Sequence, residues 1–74
     1  MEDRARLERY LAQAERHIAE GEAHVARQRE LVAELAKDGH DQRLAQELLN
    51  QFETTLASHI ADRDRIRAEL AAMI

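Results

Sequence analysis

The stretch KDGHD, residues 37–41, decides the fold of this 74-residue chain. It is the only clear break in a sequence that lacks proline and is dominated by Ala, Glu, Leu and Arg, which favour helix. Gly39 can adopt the left-handed conformation that ends a helix, and Asp41 can accept from the free amides that open the next one. We therefore expect one domain over residues 1–74, with helices at about 3–37 and 42–72 and a turn at 38–41.

Mostly apolar residues recur at heptad spacing on both sides of this turn. The first helix carries them at Leu7, Leu11, Ala14, Ile18, Gly21, Val25, Gln28, Val32 and Leu35. The second carries them at Ala45, Leu49, Phe52, Leu56, His59, Arg63, Ile66, Leu70 and Met73. These are the a and d positions of a heptad repeat, so we call each set a stripe. Two stripes joined by a tight turn predict an all-α antiparallel helical hairpin.

Centring the hairpin on His40 predicts which residues face each other. Gly21 then lies opposite His59, and its loss of helix propensity makes room for the imidazole. The pairs expected beside the stripes are Glu15 with Arg67, Arg29 with Glu53, Tyr10 with Glu69, His17 with Asp62, His24 with Thr55, and Leu31 with Leu48.

Besides His59, the polar residues Gln28 and Arg63 interrupt the stripes. One interpretation of Arg63 lays its methylenes on Ile18 and carries the guanidinium out to Glu15 or another acid at the rim. The other makes it a polar residue that sets the register at some cost in stability. For Gln28 we favour the simple packing interpretation, and for Arg63 both remain open.

The histidines are the most site-like residues of the chain. Tyr10, His17 and His24 follow each other at intervals of seven, about 10.5 Å along a helix, whereas histidine pairs that share a metal normally lie three or four residues apart. We favour packing histidines, with a proton-responsive cluster and a metal site as alternatives. The metal site would use His17, His24, His59 and Asp62 or Glu20, with His40 left as a turn residue.

Several functions find little support in the sequence. Ser58 and His59 are adjacent, so on a helix their side chains diverge by about 100° and neither can activate the other. Without a glycine-rich phosphate loop or a concave pocket, we expect no enzyme and no cofactor. The formal net charge of -4 is spread over interspersed acids and bases, which argues against nucleic acid. With no cysteine and no apolar run of about 20 residues, we expect a soluble cytoplasmic protein that does not enter membranes.

A chain below about 80 residues rarely buries enough apolar surface to be stable without a disulfide, a structural metal or a partner. Small and apolar residues outside the stripes offer a surface for one, which we call the alanine face: Ala12, Ala19, Ala26, Ala57, Ile60, Ala61 and Ala68, with Ile74 towards the same side. Ala5 and Ala33 continue the series, but helix propensity explains them. We expect two hairpins to join through this face as a homodimeric four-helix bundle.

Three segments carry a resemblance: AERHIAEGEAHVARQRELVAEL at 14–35, DGHD at 38–41 and LLNQFETTLASHIADRDRI at 48–66. On these the chain, from about Leu7 to Leu70, resembles short uncharacterised bacterial two-helix proteins. The resemblance implies a natural stand-alone domain and transfers no site, since such proteins have no assigned activity. We expect a non-enzymatic interaction or structural module that offers its remaining groove to a helix of another protein. The alternative is a small metal- or ligand-binding bundle built on His17, His24 and His59.

Overall fold

Two long helices pack side by side along the whole molecule. The structure, a computed structural model, describes residues 2–73 and the side chains of residues 3–73. Helix α1 spans Glu2–Lys37 and helix α2 spans Arg43–Ala71, and over the described chain they are the only regular elements. The Cα atoms extend over 57 × 14 × 13 Å. The predicted all-α antiparallel hairpin is therefore confirmed, with its reversal between residues 38 and 42.

The turn follows the chemistry of its residues. Gly39 has a φ of 75°, which only glycine adopts without steric cost. The His40 amide donates to the Leu35 carbonyl at 2.9 Å and the Gly39 amide donates to the Ala36 carbonyl at 3.2 Å, the paired bonds of a Schellman motif. On the other side, Asp41 Oδ1 accepts from the Arg43 amide at 3.0 Å. Both predicted roles, the helix stop at Gly39 and the acceptor at Asp41, are confirmed.

The two stripes form the contact between the helices. Every stripe residue from Leu7 to Leu70 is buried or half-buried, whereas Met73 remains 37% exposed. The most buried members are Ala14, Ile18, Val25, Gln28, Leu49 and Ile66. No side chain among the described residues is more than 98% buried, so this core is one layer thin.

At Gly21 the nearest contact across the helices differs from the predicted one. A Cβ built on Gly21 would have Leu56 as its nearest neighbour, with Cδ1 at 3.1 Å and Cα at 3.8 Å. Gly21 therefore makes room for Leu56 rather than for the imidazole of His59, which borders the same hollow as Gly21. Heptad spacing leaves this choice open, because each stripe residue can fit on either side of a residue on the opposite helix.

The two ion pairs predicted across the helices are confirmed. Arg29 Nη2 lies 3.1 Å from Glu53 Oε2, and Arg67 Nη2 lies 3.5 Å from Glu15 Oε2. Both pairs are half exposed and solvent-screened, so they contribute little to stability.

Gln28 and Arg63, polar residues within the stripes, make different contacts. Gln28 is 7% exposed and its Nε2 donates to the Ala45 carbonyl at 2.9 Å, so it links the helices as well as packing between them. Arg63 is half-buried and its guanidinium pairs with Asp64 at 3.1 Å. The rim acid is therefore Asp64, since Glu15 is engaged by Arg67.

Candidate functional site

One flank of the hairpin carries a groove between the helices. Two neighbouring hollows form it, of about 390 and 180 Å³, and His17 and His59 border both. Tyr10 and Glu69 line the larger hollow, and His24 lines the smaller. We call this flank the groove face.

His17 and His59 meet at the centre of the groove face. Their ring centroids lie 4.8 Å apart with the planes tilted by 44°. Asp62, the predicted partner of His17, borders the same hollow but forms an ion pair with Arg65 at 3.3 Å. The side chain that packs against His17 is therefore His59, and Asp62 lies beside the pair in the same hollow.

His24 packs against Phe52 rather than its predicted partner. The two ring centroids lie 5.6 Å apart, while Thr55 borders the same hollow. The ring planes are inclined by 34°, a tilted packing arrangement of two aromatic rings. This contact places His24 in the aromatic lining of the groove face.

The proposed metal ligands share one groove without forming a ligand set. Within residues 2–73, no three His, Asp or Glu side chains are arranged to hold a metal ion. His17 and His59 adjoin each other, His24 is directed to Phe52, and Asp62 is paired with Arg65. A structural zinc site needs four protein ligands and a catalytic one normally three, so the side chains as placed supply two imidazoles.

Large exposed apolar residues are concentrated on the groove face. Tyr10 is 48% exposed, Leu31 42% and Leu48 41%. Leu31 continues the seven-residue series of Tyr10, and Leu48 stands at the same spacing before Thr55, so helical periodicity carries both onto this flank. Leu44, one turn before Leu48, is 81% exposed. The sequence predicts Leu31 and Leu48 as a pair beside the stripes, whereas Leu44 is an exposed leucine that the heptad pattern does not select.

The alanine face lies on the opposite flank and outer surface. Its alanines Ala12, Ala19, Ala26, Ala57, Ala61 and Ala68 are all exposed, and Ile60 is half-buried. The same flank carries the Arg29–Glu53 and Arg67–Glu15 ion pairs, on either side of Ile60 along the hairpin. Ile74 lies outside the described residues.

Two side-chain hydroxyls of α2 donate to backbone carbonyls. Thr54 Oγ1 donates to the Asn50 carbonyl at 3.0 Å, and Ser58 Oγ donates to the Thr54 carbonyl at 3.3 Å. Such bonds to the preceding turn are common for hydroxyls within helices. They leave His59 directed to His17 rather than to Ser58.

An ion pair at the turn shifts the pKa values of both of its members, Asp41 and Arg43. The Arg43 guanidinium and, to a smaller extent, its backbone amide lower the pKa of Asp41 below its ordinary value, and the same side-chain contact raises the pKa of Arg43. The Arg43 Nη2 to Asp41 Oδ2 distance is 2.8 Å. This pair belongs to the start of α2 and does not border the two hollows of the groove face.

Neither helix, within the part of the chain described, has a stretch long and apolar enough to cross a membrane. Comparisons with protein-family models, curated proteins and solved structures found no match. The resemblance to short bacterial two-helix proteins therefore stays a prediction, and the function rests on the physical properties of the hairpin.

Proposed function

We propose that this chain is a non-enzymatic protein–protein interaction module, a helical hairpin that self-associates as a homodimeric four-helix bundle. The accessible surface of the hairpin carries this proposal. It measures 5658 Å², whereas a compact monomer of 8.5 kDa exposes about 4,700 Å². The excess of about 1,000 Å² is close to the roughly 800 Å² that each partner buries in a standard interface.

The thin core supports the same conclusion. A single helix-to-helix contact buries one stripe per helix and leaves three large side chains of the groove face more than two-fifths exposed: Tyr10, Leu31 and Leu48. Apolar surface gains about 25 cal/mol per Å² when it leaves water. A second hairpin is the smallest addition that covers such a face, because a two-helix face and its copy make a four-helix bundle.

Sedimentation equilibrium over a dilution series tests this function. The expected result is a dimer whose helicity and melting temperature fall as the protein is diluted, because dissociation exposes the covered face and destabilises the hairpin. A helical monomer that stays stable at low micromolar concentration would overturn the proposal. An assay in cell extract then asks whether a helix of another cytoplasmic protein replaces the second copy.

The second candidate function is a small metal- or ligand-binding bundle that uses His17, His24 and His59. The contact between His17 and His59 favours it, since two imidazoles that share a tetrahedral Zn²⁺ have ring centres about 5 Å apart and these lie 4.8 Å apart. The test adds Zn²⁺, Ni²⁺ or Fe²⁺ and follows the melting temperature. A rise of several degrees that His59→Ala abolishes would favour this candidate, and no rise would remove it.

A further inference from the structure

We infer that the groove face, rather than the alanine face, joins two copies of this chain, and that the two copies lie with their turns at the same end. This inference rests on the proposed self-association and specifies its surface. The occupant of the groove face is thus a second hairpin, related to the first by a twofold axis parallel to the helices.

The first argument is the distribution of exposed apolar side chains. Among residues 3–73, three of the five large hydrophobic side chains that remain exposed lie on the groove face: Tyr10, Leu31 and Leu48. Leu44 stands one turn from Leu48. Exposed residues of this size, gathered on one side and rimmed by polar groups, mark interaction surfaces. The alanine face offers mainly methyl groups, which bury less area for each residue covered.

The second argument is the cost of covering the opposite flank. There the Arg29–Glu53 and Arg67–Glu15 pairs stand beside the alanines, with half of each side chain still in water. A partner on that flank would remove water from four charges, and desolvation of paired charges can exceed their mutual attraction. The groove is bordered by one ion pair, Arg65 with Asp62, and by the carboxylates of Glu20 and Glu69, of which Glu69 would face the Tyr10 hydroxyl of the second copy.

The third argument is the match between the two rows that border the groove. On α1 the row is Tyr10, His17, His24 and Leu31; on α2, from the opposite end, it is Glu69, Asp62, Thr55 and Leu48. Members at the same level border the same hollow: Tyr10 with Glu69, and His24 with Thr55. A twofold axis along the hairpin lays each row on the opposite row of the partner copy.

The resulting contacts are chemically matched at every level. Leu31 meets Leu48 of the second copy. The twofold axis repeats this contact, so four leucine side chains are buried in the dimer. His17 meets Asp62, and the Tyr10 hydroxyl donates to Glu69, so each carboxylate faces a hydrogen-bond donor. His24 meets Thr55 at the level between the His17–Asp62 contact and the Leu31–Leu48 contact.

The opposite arrangement, with the turns at opposite ends, lacks this match. A twofold axis across the hairpin lays the α2 row on its own reversed copy. Leu48 would then face the Glu69 carboxylate and Thr55 would face Asp62, so an apolar side chain would cover a charge. Burying a charge without a partner is unfavourable, and this favours the arrangement with both turns at one end.

The dimensions agree with a standard interface. A face measured between the Cα extremes, 57 by 14 Å, has an area of about 800 Å², and stable complexes bury about 800 Å² on each partner. One face of the hairpin therefore suffices, and no further segment is needed to complete it.

The surface is tested with two matched variants, each placing a glutamate at an exposed helical position. Leu48→Glu lies on the groove face and Ala19→Glu on the alanine face. Sedimentation equilibrium is expected to show the dimer dissociation constant rising at least about tenfold in Leu48→Glu and changing less than about threefold in Ala19→Glu. The reverse pattern would overturn the inference while leaving self-association intact, whereas a monomeric parent chain would remove both.

The orientation is tested with one spin label for each chain. The sequence contains no cysteine, so Asp38→Cys at the exposed turn accepts a single label. Turns at the same end give a label-to-label distance of about 10 to 30 Å, because neighbouring helices pack about 10 Å apart. Turns at opposite ends would give a distance near the 57 Å length of the hairpin, and that result would overturn the orientation even if Leu48→Glu dissociates the dimer.

Discussion

Gly21 of α1 lies against Leu56 of α2 so closely that a Cβ on the glycine would stand 3.1 Å from Leu56 Cδ1. This is tighter than ordinary van der Waals contact, so an alanine would require the leucine methyl to move. The glycine costs up to about 1 kcal/mol of helix stability relative to alanine. Close approach of the helices at this level offsets that cost.

A double-mutant cycle measures this relationship. Gly21→Ala should change the free energy of unfolding little in the parent chain, because helix propensity and crowding oppose each other. In a Leu56→Ala background, where Cδ1 is absent, the same substitution should be more stabilising by about 0.5 to 1 kcal/mol. Urea denaturation at one protein concentration gives all four values. Equal effects of Gly21→Ala in both backgrounds would contradict the contact.

Substitution of Gly39 should destabilise the fold through backbone strain alone. Gly39 has a φ of 75° and no atom within 4 Å of a built Cβ, so substitution meets strain without a clash. Gly39→Ala should lower the free energy of unfolding by about 1 to 2 kcal/mol, and Gly39→Asn by less, since asparagine tolerates this conformation better. Thermal denaturation followed by circular dichroism ranks the three chains. An alanine variant as stable as the parent would exclude a strained turn.

Gln28 should specify structure at the expense of stability. Replacing this buried amide by leucine removes the bond from Nε2 to the Ala45 carbonyl and adds apolar contact. Gln28→Leu should raise the melting temperature, yet sedimentation velocity should show a mixture of oligomers, because polar stripe residues restrict register and oligomeric state. The control is Gln46→Leu at an exposed position of α2. A single dimeric species in Gln28→Leu would show that the amide has no such role.

Acid should weaken the start of α2 through Asp41. Contact with Arg43 lowers the pKa of this carboxyl, so it favours the folded state above the ordinary value of 3.8, and this contribution is lost as the pH falls through the lowered pKa. Arg43→Gln should shift the titration midpoint of the Asp41 carboxyl upward in a carbon-detected NMR titration, whereas Arg65→Gln should not move it. An unchanged midpoint in Arg43→Gln would contradict the assigned cause.

The sequence by itself determined the elements and the buried face. Heptad spacing selected the residues that are shielded from water, from Leu7 to Leu70, because a helix repeats its faces every 3.6 residues whatever it packs against. Gly39 and Asp41 determined the turn, since left-handed backbone and amide capping are local properties. The pairs Glu15–Arg67 and Arg29–Glu53 were also predictable, because long charged side chains reach over more than one register.

Only the tertiary structure decided which stripe residues face each other. A heptad pattern is nearly unchanged when one helix slides by a turn, so the choice depends on side-chain shape: Leu56 fits against Gly21, Gln28 reaches the Ala45 carbonyl, and His59 comes to rest on His17. Shape complementarity depends on both packed surfaces together, so the periodicity of apolar residues along the sequence does not predict it.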